Sequence, residues 1–160
     1  MDTSTHASGL QRDTVTVLET NLDNISGEVL GWLMDKLFEK GALDVNYIPM
    51  MMKKNRPAVL LRVIARPEDA ESLAEYILGG TTTLGVRIIP CERLIAERRI
   101  ETVESPWGAI RVKLKIVNGA IAGIAPEYED CAYLADKRSL PLLQFMQGLQ
   151  SWLNQEYHLS

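Results

Sequence analysis

The chain has 160 residues, a mass of 17.9 kDa and a formal net charge of −4. Hydrophobic residues make up 46% of it and charged residues 24%, which is ordinary for a globular domain and excludes disordered, collagen-like and coiled-coil chains. No apolar stretch reaches the roughly 18 residues of a transmembrane helix, and the acidic balance disfavours a nucleic-acid partner. We therefore expect a folded domain that uses neither a membrane nor a nucleic acid as its partner.

Residues 1–13 are polar and lack apolar periodicity, which predicts a flexible leader. They also lack the apolar core of a secretory signal, so we expect a cytoplasmic protein with reduced thiols at Cys91 and Cys131. The cysteines have no metal-ligand spacing, and His6 and His158 lie near the chain ends, which argues against a histidine-based metal site or triad. After the leader we expect two folded parts, residues 14–95 and residues 96–160.

The first part alternates between strand and helix patterns. Ser26 suits the N-cap of a first helix that Gly41 ends, and Pro67 suits the first turn of a second helix. Pro49 predicts that the second strand is an edge strand or carries a bulge, since proline cannot donate to a ladder. The predicted elements are a strand from residue 14, a helix at 27–40, strands at 44–52 and 58–65, a helix from 67 and a strand at 85–95.

This order of elements is that of a ferredoxin-like βαββαβ unit, so the predicted fold class is α+β. Right-handed crossovers would place both helices on one face of a four-stranded antiparallel sheet.

The second part predicts a small antiparallel β-meander followed by two helices. A hairpin turn surrounds Pro106 and Trp107, and Asn118-Gly119 is typical of a two-residue turn between strands. Pro126 and Pro141 would each open a helix.

The topology brings three polar segments to one edge of the first sheet. These are residues 19–24, 53–56 and 81–83, and the first helix begins at the same edge with its unpaired N–H groups. Lys and Arg neutralise phosphates, and Asp and Asn oxygens suit a divalent cation. Together the segments predict a site for a nucleoside triphosphate or a phosphorylated substrate. Taken alone, each segment is more typical of a solvated loop or of helix-capping acids.

Other polar groups favour structural roles. Glu127, Glu129 and Asp130 begin a predicted helix, where acids stabilise the helix dipole, and a metal site there is the less favoured alternative. The methionines at 50–52 are typical of packing rather than of soft-metal ligation. We expect Cys91 and Cys131 to be small core residues and Arg111, Lys113 and Lys115 to form a solvated strand face.

Five segments match, in order, the motifs of a known family, and the likeness as a whole covers roughly Val15 to Leu143. On these motifs the chain resembles the C-terminal part of LarC, the nickel-insertion family of nickel-pincer cofactor biosynthesis, whose members are more than twice as long. The matching segments are residues 18–45, 52–61, 80–87, 103–113 and 125–131.

The resemblance implies a specific reaction. The family inserts nickel, its substrate metal, into pyridinium-3,5-bisthiocarboxylic acid mononucleotide, with CTP and Mg²⁺ or Mn²⁺, and the product serves lactate racemase. CTP would activate a thiocarboxylate by nucleotidyl transfer and release pyrophosphate. The chain would then be the CTP-binding part of a nickel-inserting cyclometallase of the lyase or chelatase type, and it could be inactive without the rest of the protein.

With the resemblance, the sheet edge becomes a candidate CTP site, and no catalytic residue is assigned. The candidate nucleotide-binding residues are Lys53, Lys54, Asn55, Arg56, Thr81, Thr82, Thr83 and Arg87, and the candidate ligands of the divalent cation are Glu19, Asn21 and Asp23.

Two other functions stay open at this point: a nucleotide-binding regulatory module and a purely structural oligomerisation domain. The second strand carries Tyr47, Ile48, Met50 and Met52, so that apolar side chains lie on both faces of an edge strand. Exposed apolar edges are covered or paired, and we therefore expect a homo-oligomer, a trimer or a hexamer.

Overall fold

The computed structural model describes residues 10–159 and divides the chain into two compact units. The N-terminal unit comprises residues 13–93, and the C-terminal unit comprises residues 94–159 together with residues 10–12. The longest helix has 15 residues, and no helix in the described range is long and apolar enough to cross a membrane.

The N-terminal unit has the predicted βαββαβ order. Its four-stranded sheet has the strand order β2-β3-β1-β4, and β3 is antiparallel to both β1 and β2. The ferredoxin-like arrangement is thus confirmed. The elements are β1 (Gln11–Leu22), α1 (Gly27–Glu39), β2 (Asp44–Met52), β3 (Arg56–Ala65), α2 (Ala70–Gly80) and β4 (Arg87–Ile95).

The pairing of β1 with β3 sorts side chains between the two faces of this sheet. Leu18 lies opposite Val63, and both are fully buried on the face that the helices cover. Glu19 lies opposite Arg62, and both belong to the other face, because successive residues of a strand alternate between faces. We call this second face the open face; it also includes Asn21 and Ile48.

Both helices pack in one core on the covered face of the sheet. The hydroxyl of Ser26 accepts a hydrogen bond from the backbone N–H of Val29 and caps α1, as predicted. A short turn, Pro67–Asp69, precedes α2, so the proline comes one turn before the helix rather than in its first turn. The core combines Leu18, Leu22, Val45, Leu61 and Val63 of the sheet with Leu33, Leu37, Leu73, Ala74 and Ile77 of the helices.

Both edge strands of this sheet contain a proline. Pro49 lies in β2 and Pro90 in β4, the two strands at the ends of the strand order, so the prediction of an edge strand at Pro49 is confirmed. Cys91 also lies in β4 and is exposed, so the expectation that it is a core residue is wrong. An edge strand has only one neighbour, which leaves its side chains more open to solvent.

The strand β1 begins at Gln11, inside the segment predicted to be a flexible leader. Asp13 explains part of the extension, because Arg93 of β4 donates two hydrogen bonds to its carboxylate, at 2.7 and 2.8 Å. The same hydrogen bonds lower the pKa of Asp13. The remaining part of the predicted leader, residues 1–9, lies outside the described residues.

The C-terminal unit is the predicted meander with two helices on one face. Gly108 and Gly119 have φ of 121° and 75° at the two hairpin turns, conformations that glycine adopts most readily. Cys131 is fully buried between sheet and helices, as predicted, and burial raises the pKa of its thiol. The elements are β5 (Glu97–Ser105), β6 (Gly108–Val117), β7 (Ala120–Pro126), α3 (Tyr128–Lys137) and α4 (Leu142–Glu156).

The face of β6 predicted to be solvated is exposed at Arg111 and Lys115 and partly exposed at Lys113, as predicted, but two of its three cations have acidic partners. Arg111 donates to both carboxylate oxygens of Asp130 at the start of α3, and this contact lowers the pKa of the Asp130 carboxyl. Lys113 pairs with Glu127 at 2.8 Å. These acids therefore connect α3 to the sheet, and of the three cations only Lys115 has no acidic partner among the described residues.

Tyr47 connects β2 to α1. It lies on the covered face, opposite Leu61, and its hydroxyl donates a 2.7 Å hydrogen bond to the backbone carbonyl of Leu30. Burial raises the pKa of Tyr47 to about 12.

We expect Tyr47→Phe to lower the free energy of unfolding by about 0.5–1.5 kcal/mol, because the partly buried hydrogen bond from the Tyr47 hydroxyl to the Leu30 carbonyl is lost. Urea unfolding followed by circular dichroism measures this change, and the slope with urea should stay the same. Equal stability of variant and parent would show that the hydrogen bond contributes nothing.

Candidate functional site

The three segments predicted to share an edge of the sheet do lie together. Arg56, after the β2–β3 turn, donates to the Asp23 carboxylate at 3.4 Å. Thr83, in the loop before β4, hydrogen-bonds Thr20 of β1 through their hydroxyls. Arg87, at the start of β4, donates to the Asn21 side-chain oxygen at 3.0 Å. The proximity follows from the topology, as the sequence predicted.

The turn between β2 and β3 is basic and strained. Lys54 and Asn55 have φ of 63° and 54°, in the left-handed region that asparagine tolerates and lysine rarely adopts. Such conformations cost about 1–3 kcal/mol and occur mostly where function requires them. Lys53 and Lys54 are exposed and, among the described residues, neither has an ion pair or hydrogen-bond partner. Both ammonium groups are therefore available to an anion.

The three threonines of the loop before β4 have different environments. The hydroxyl of Thr81 donates to the carbonyl of Ile77 and so ends α2, and it accepts from the N–H of Thr83. The hydroxyl of Thr83 interacts with Thr20 and with the carbonyl of Gly85. Thr82 is exposed, and its hydroxyl has no partner within the described part of the chain. Of the three hydroxyls, that of Thr82 is the one left for a ligand.

Glu19 is the centre of a charged cluster on the open face. Arg62 donates to its carboxylate at 2.8 Å, and Arg87 approaches its other oxygen at 3.6 Å. Its side chain is only 15% exposed. Sequence reasoning did not find Arg62, although its position opposite Glu19 follows from the strand register.

Thr20 was also missed, because it occupies a core position by alternation and is 1% exposed. A buried polar group requires a hydrogen-bond partner. The Thr20 hydroxyl finds its partners in the loop before β4, and this connects β1 to that loop.

The residues predicted to bind a divalent cation differ in how well they fit. The oxygens of Glu19 and the side-chain oxygen of Asn21 already accept from arginines, which disfavours direct ligation. Asp23 has a single ion pair, the 3.4 Å contact with Arg56. No cluster of three or more His, Cys, Asp or Glu side chains suited to a metal occurs between residues 10 and 159. Mg²⁺ is commonly held by one or two carboxylates plus substrate phosphates, so Asp23 alone fits a cation that arrives with a phosphorylated ligand.

The arrangement as a whole suits a polyanion. Lys53, Lys54 and Arg56 lie on one turn, Arg87 lies nearby, and the acids within reach are mostly engaged by arginines. Such a group of cations binds phosphate oxygens through charge-assisted hydrogen bonds, and arginine can do so bidentately.

Comparison with known proteins identifies the class. The model of the nickel insertion protein family matches residues 3–146. The chain belongs to the nickel insertion protein family, as its motifs indicated.

Relatives with curated names agree with this assignment. A putative nickel insertion protein of Geotalea daltonii is 44% identical over 137 residues, which cover 86% of this chain and 35% of that protein. The pyridinium-3,5-bisthiocarboxylic acid mononucleotide nickel insertion protein of Acetivibrio thermocellus is 46% identical over 130 residues, covering 81% of this chain and 32% of that protein. The chain thus spans about a third of the length of these relatives.

Solved structures resemble this chain over most of its length. One is LarC2, the C-terminal domain of a cyclometallase involved in the synthesis of the NPN cofactor of lactate racemase, in its apo form. It has a TM-score of 0.79 and 38% identity, and the match covers 89% of this chain and 96% of that chain. A crystal structure of a Methanopyrus kandleri protein has a TM-score of 0.66 and 26% identity, with 89% of each chain covered.

The strained backbone at Lys54 predicts how a glycine at this position changes the stability of the chain. We expect Lys54→Gly to leave the free energy of unfolding unchanged or to raise it by up to about 1 kcal/mol, since glycine adopts this φ without strain. Thermal unfolding of the purified chain measures the effect.

The matched control is Lys53→Gly, which removes the same charge where no positive φ is required. It should destabilise by about 0.5–1 kcal/mol through the added freedom of the unfolded chain. Equal destabilisation by both variants would contradict the strain at Lys54.

Proposed function

We propose that this chain is the CTP-binding part of a nickel-inserting cyclometallase. Its substrate would be pyridinium-3,5-bisthiocarboxylic acid mononucleotide, after which the Acetivibrio thermocellus relative is named, and nickel would be the metal inserted. CTP and Mg²⁺ or Mn²⁺ would be required. The proposed setting is the cytoplasm, without a nucleic-acid or membrane partner. The family membership and the match to a cyclometallase domain support the reaction class.

One observation carries the nucleotide-binding step: unpartnered cations lie on a strained turn beside two other polar segments. Among the described residues Lys53 and Lys54 have no acid to neutralise them, whereas Arg62 and Arg87 do. A triphosphate would supply the missing counter-charge. The hydroxyl of Thr82 and the side chain of Asn55 would add hydrogen bonds from the loops on either side.

The remaining candidate residues support these contacts indirectly. Thr81 and Thr83 hold the loop before β4 through the hydrogen bonds described above. Glu19 and Asn21 hold Arg87, which would otherwise turn away into solvent. In this proposal they position cations rather than bind the divalent ion, and Asp23 is the residue that would hold it. The ion would neutralise charge on the phosphate oxygens.

The chemistry proposed for CTP is nucleotidyl transfer. An oxygen of a substrate thiocarboxylate forms a bond to the α-phosphorus, the bond between the α-phosphorus and the oxygen that bridges it to the β-phosphorus breaks, and pyrophosphate leaves with that electron pair. Lys53, Lys54 and Arg56 would stabilise the charge that develops on pyrophosphate, which is where fixed cations accelerate phosphoryl chemistry most.

The test is calorimetric titration of the purified chain with CTP, ATP and GTP, with and without Mg²⁺. We expect CTP to bind in the presence of Mg²⁺ and Arg56→Ala to weaken it about 10–100-fold, the effect of losing one charge-assisted contact to phosphate. The melting temperature without nucleotide should stay close to that of the parent, since Arg56 makes only the 3.4 Å exposed ion pair with Asp23.

The control for that titration is Arg99→Ala. Arg99 is an exposed arginine of the C-terminal unit whose ion pairs are to Glu97 and Glu101 on its own strand. Arg111 does not serve this purpose, because its contacts with Asp130 support the C-terminal unit. If the parent does not bind CTP, or if Arg56→Ala and Arg99→Ala bind it equally well, the proposed site is wrong.

The same titration separates the alternative functions. A regulatory module would bind CTP tightly, and in a nickel-insertion assay the longer relatives would form product whether or not CTP is supplied. A structural domain would bind no nucleotide. If the chain is part of an enzyme, it should bind CTP, and the longer relatives should insert nickel only when CTP is present.

Self-association is a further part of the proposal. Ile48 is 38% exposed and Ile89 43% exposed on the open face, beside the half-buried Met50 and Leu60. Burial of such side chains favours association through this face. We expect a trimer or hexamer by light scattering at micromolar concentration, and Ile48→Glu should shift it towards monomer.

The matched control for self-association is Met51→Glu, which adds the same charge to β2 at an exposed position on the opposite side of the strand. It should leave the assembly intact. A monomeric parent would contradict the proposal.

A further inference from the structure

The meander of the C-terminal unit has one face that the helices do not cover. Ile110, Val112, Leu114 and Ile116 of β6 are buried against α3 and α4. The residues between them belong to the opposite side, together with their cross-strand neighbours on β5 and β7. We call this side the outer face, and its members include Arg98, Arg111, Lys113, Lys115, Gly123 and Ala125.

Two cations on the outer face lie directly opposite each other without a counter-charge. Arg98 and Lys115 are cross-strand partners in the register of β5 and β6. Among the described residues neither has an acidic, hydrogen-bonding or aromatic partner. Like charges in this position repel each other and destabilise a sheet.

The contrast with neighbouring cations makes this pair distinctive. Arg111 and Lys113, on the same strand and the same face, are neutralised by Asp130 and Glu127. Acids therefore neutralise the cations of β6 next to α3, whereas Glu97, at the start of β5, pairs with Arg99 and not with Arg98 or Lys115.

Strand β7 leaves open space beside the pair of cations formed by Arg98 and Lys115. Gly123 lies opposite Lys115, and Ala125 lies opposite Lys113, so β7 contributes almost no side-chain bulk here. A depression of about 400 Å³ lies here, and besides Arg98, Lys115, Gly123 and Ala125 its lining includes Glu97, whose carboxylate pairs with Arg99. This volume is within the range of small-molecule sites.

The strand pairing is also irregular at this point. The register of β6 with β7 shifts between Lys115 and Ile116, next to Gly123. A glycine inside a strand often marks a place where a ligand approaches the backbone, and a bulge redirects the side chains beside it. The unpaired cations, the depression and the irregular strand pairing thus occur at the same place.

We propose that the outer face binds the phosphate monoester of a pyridinium mononucleotide between Arg98 and Lys115. The inference rests on the proposed function, because the substrate of the Acetivibrio thermocellus relative is a mononucleotide of this class. Arg98 offers a planar fork to two phosphate oxygens, and Lys115 a point charge to a third. The dianion removes the repulsion between the two cations. The site shares no residue with the turn at Lys53–Asn55, which is assigned to CTP.

The probe is nicotinic acid mononucleotide, a pyridinium carboxylate with a ribose phosphate, titrated into the full chain and followed by amide chemical shifts. Nicotinic acid riboside, which lacks the phosphate, is the matched ligand. We expect the mononucleotide to shift the amides of Arg98, Lys115 and Gly123 and the riboside to bind at least about 10-fold more weakly.

Arg98→Ala and Lys115→Ala should each weaken the mononucleotide by about 10-fold. Their melting temperatures without ligand should not fall, because each removes a repulsion. Arg99→Ala is the control: the next residue of the strand, it lies on the opposite face and should bind the mononucleotide like the parent.

The inference is overturned if the amides of the parent show no phosphate-dependent shift, or if Arg98→Ala and Arg99→Ala bind the mononucleotide equally. A loss of CTP affinity in Arg98→Ala would also overturn it, because the pair would then belong to the triphosphate site. CTP binding that persists while the mononucleotide fails to bind would reject this site and leave the proposed CTP site standing. If the mononucleotide binds and CTP does not, the CTP site is rejected and the site on the outer face remains.

Discussion

The antiparallel pairing of β1 with β3 is the constraint on which the N-terminal unit depends. It places Leu18 and Leu22 in the core with both helices, and the same alternation places Glu19 and Asn21 on the open face, beside Arg62 and Arg87. A slip of one residue would exchange the two sets and bury the charges. Packing and the charged cluster therefore come from a single register, and neither could change without the other.

Much of this unit follows from sequence because its information is local and periodic. The helical spacing of Leu33 and Leu37, the cap at Ser26 and the stop at Gly41 each express a short-range rule. The convergence of the polar segments needed one more step, the topology, and it holds because βαββαβ order has few ways to form a sheet.

The features that sequence reasoning missed have more than one physical cause. The contact between Arg111 and Asp130 joins side chains that are distant in the chain, and nothing near Arg111 indicates it. Exposed Cys91 looked like a core residue because composition does not reveal which strand is at an edge. The left-handed conformation of Lys54 was also invisible, since lysine is not a residue that predicts it.

The lysines and arginines that have no partner among the described residues occur as two pairs. Lys53 and Lys54 form one pair, on a turn of the N-terminal unit, and Arg98 and Lys115 form another, on the outer face of the C-terminal unit. The other lysines and arginines of the described residues have an acid, a carbonyl, an aromatic ring or another contact. In the function proposed above, the first pair would bind the triphosphate and the second the mononucleotide.

The prolines of β2 and β4 have a consequence for how copies of this chain can meet. Each lies in the middle of an edge strand, where proline is tolerated because its nitrogen faces away from the neighbouring strand. Each free edge therefore lacks a hydrogen-bond donor at its centre, and an added strand from another molecule could not complete its ladder there. Open-ended growth of the sheet, the route to fibres, is blocked at both sides of this unit. Assembly through side chains on a face, as proposed above, meets no such obstacle.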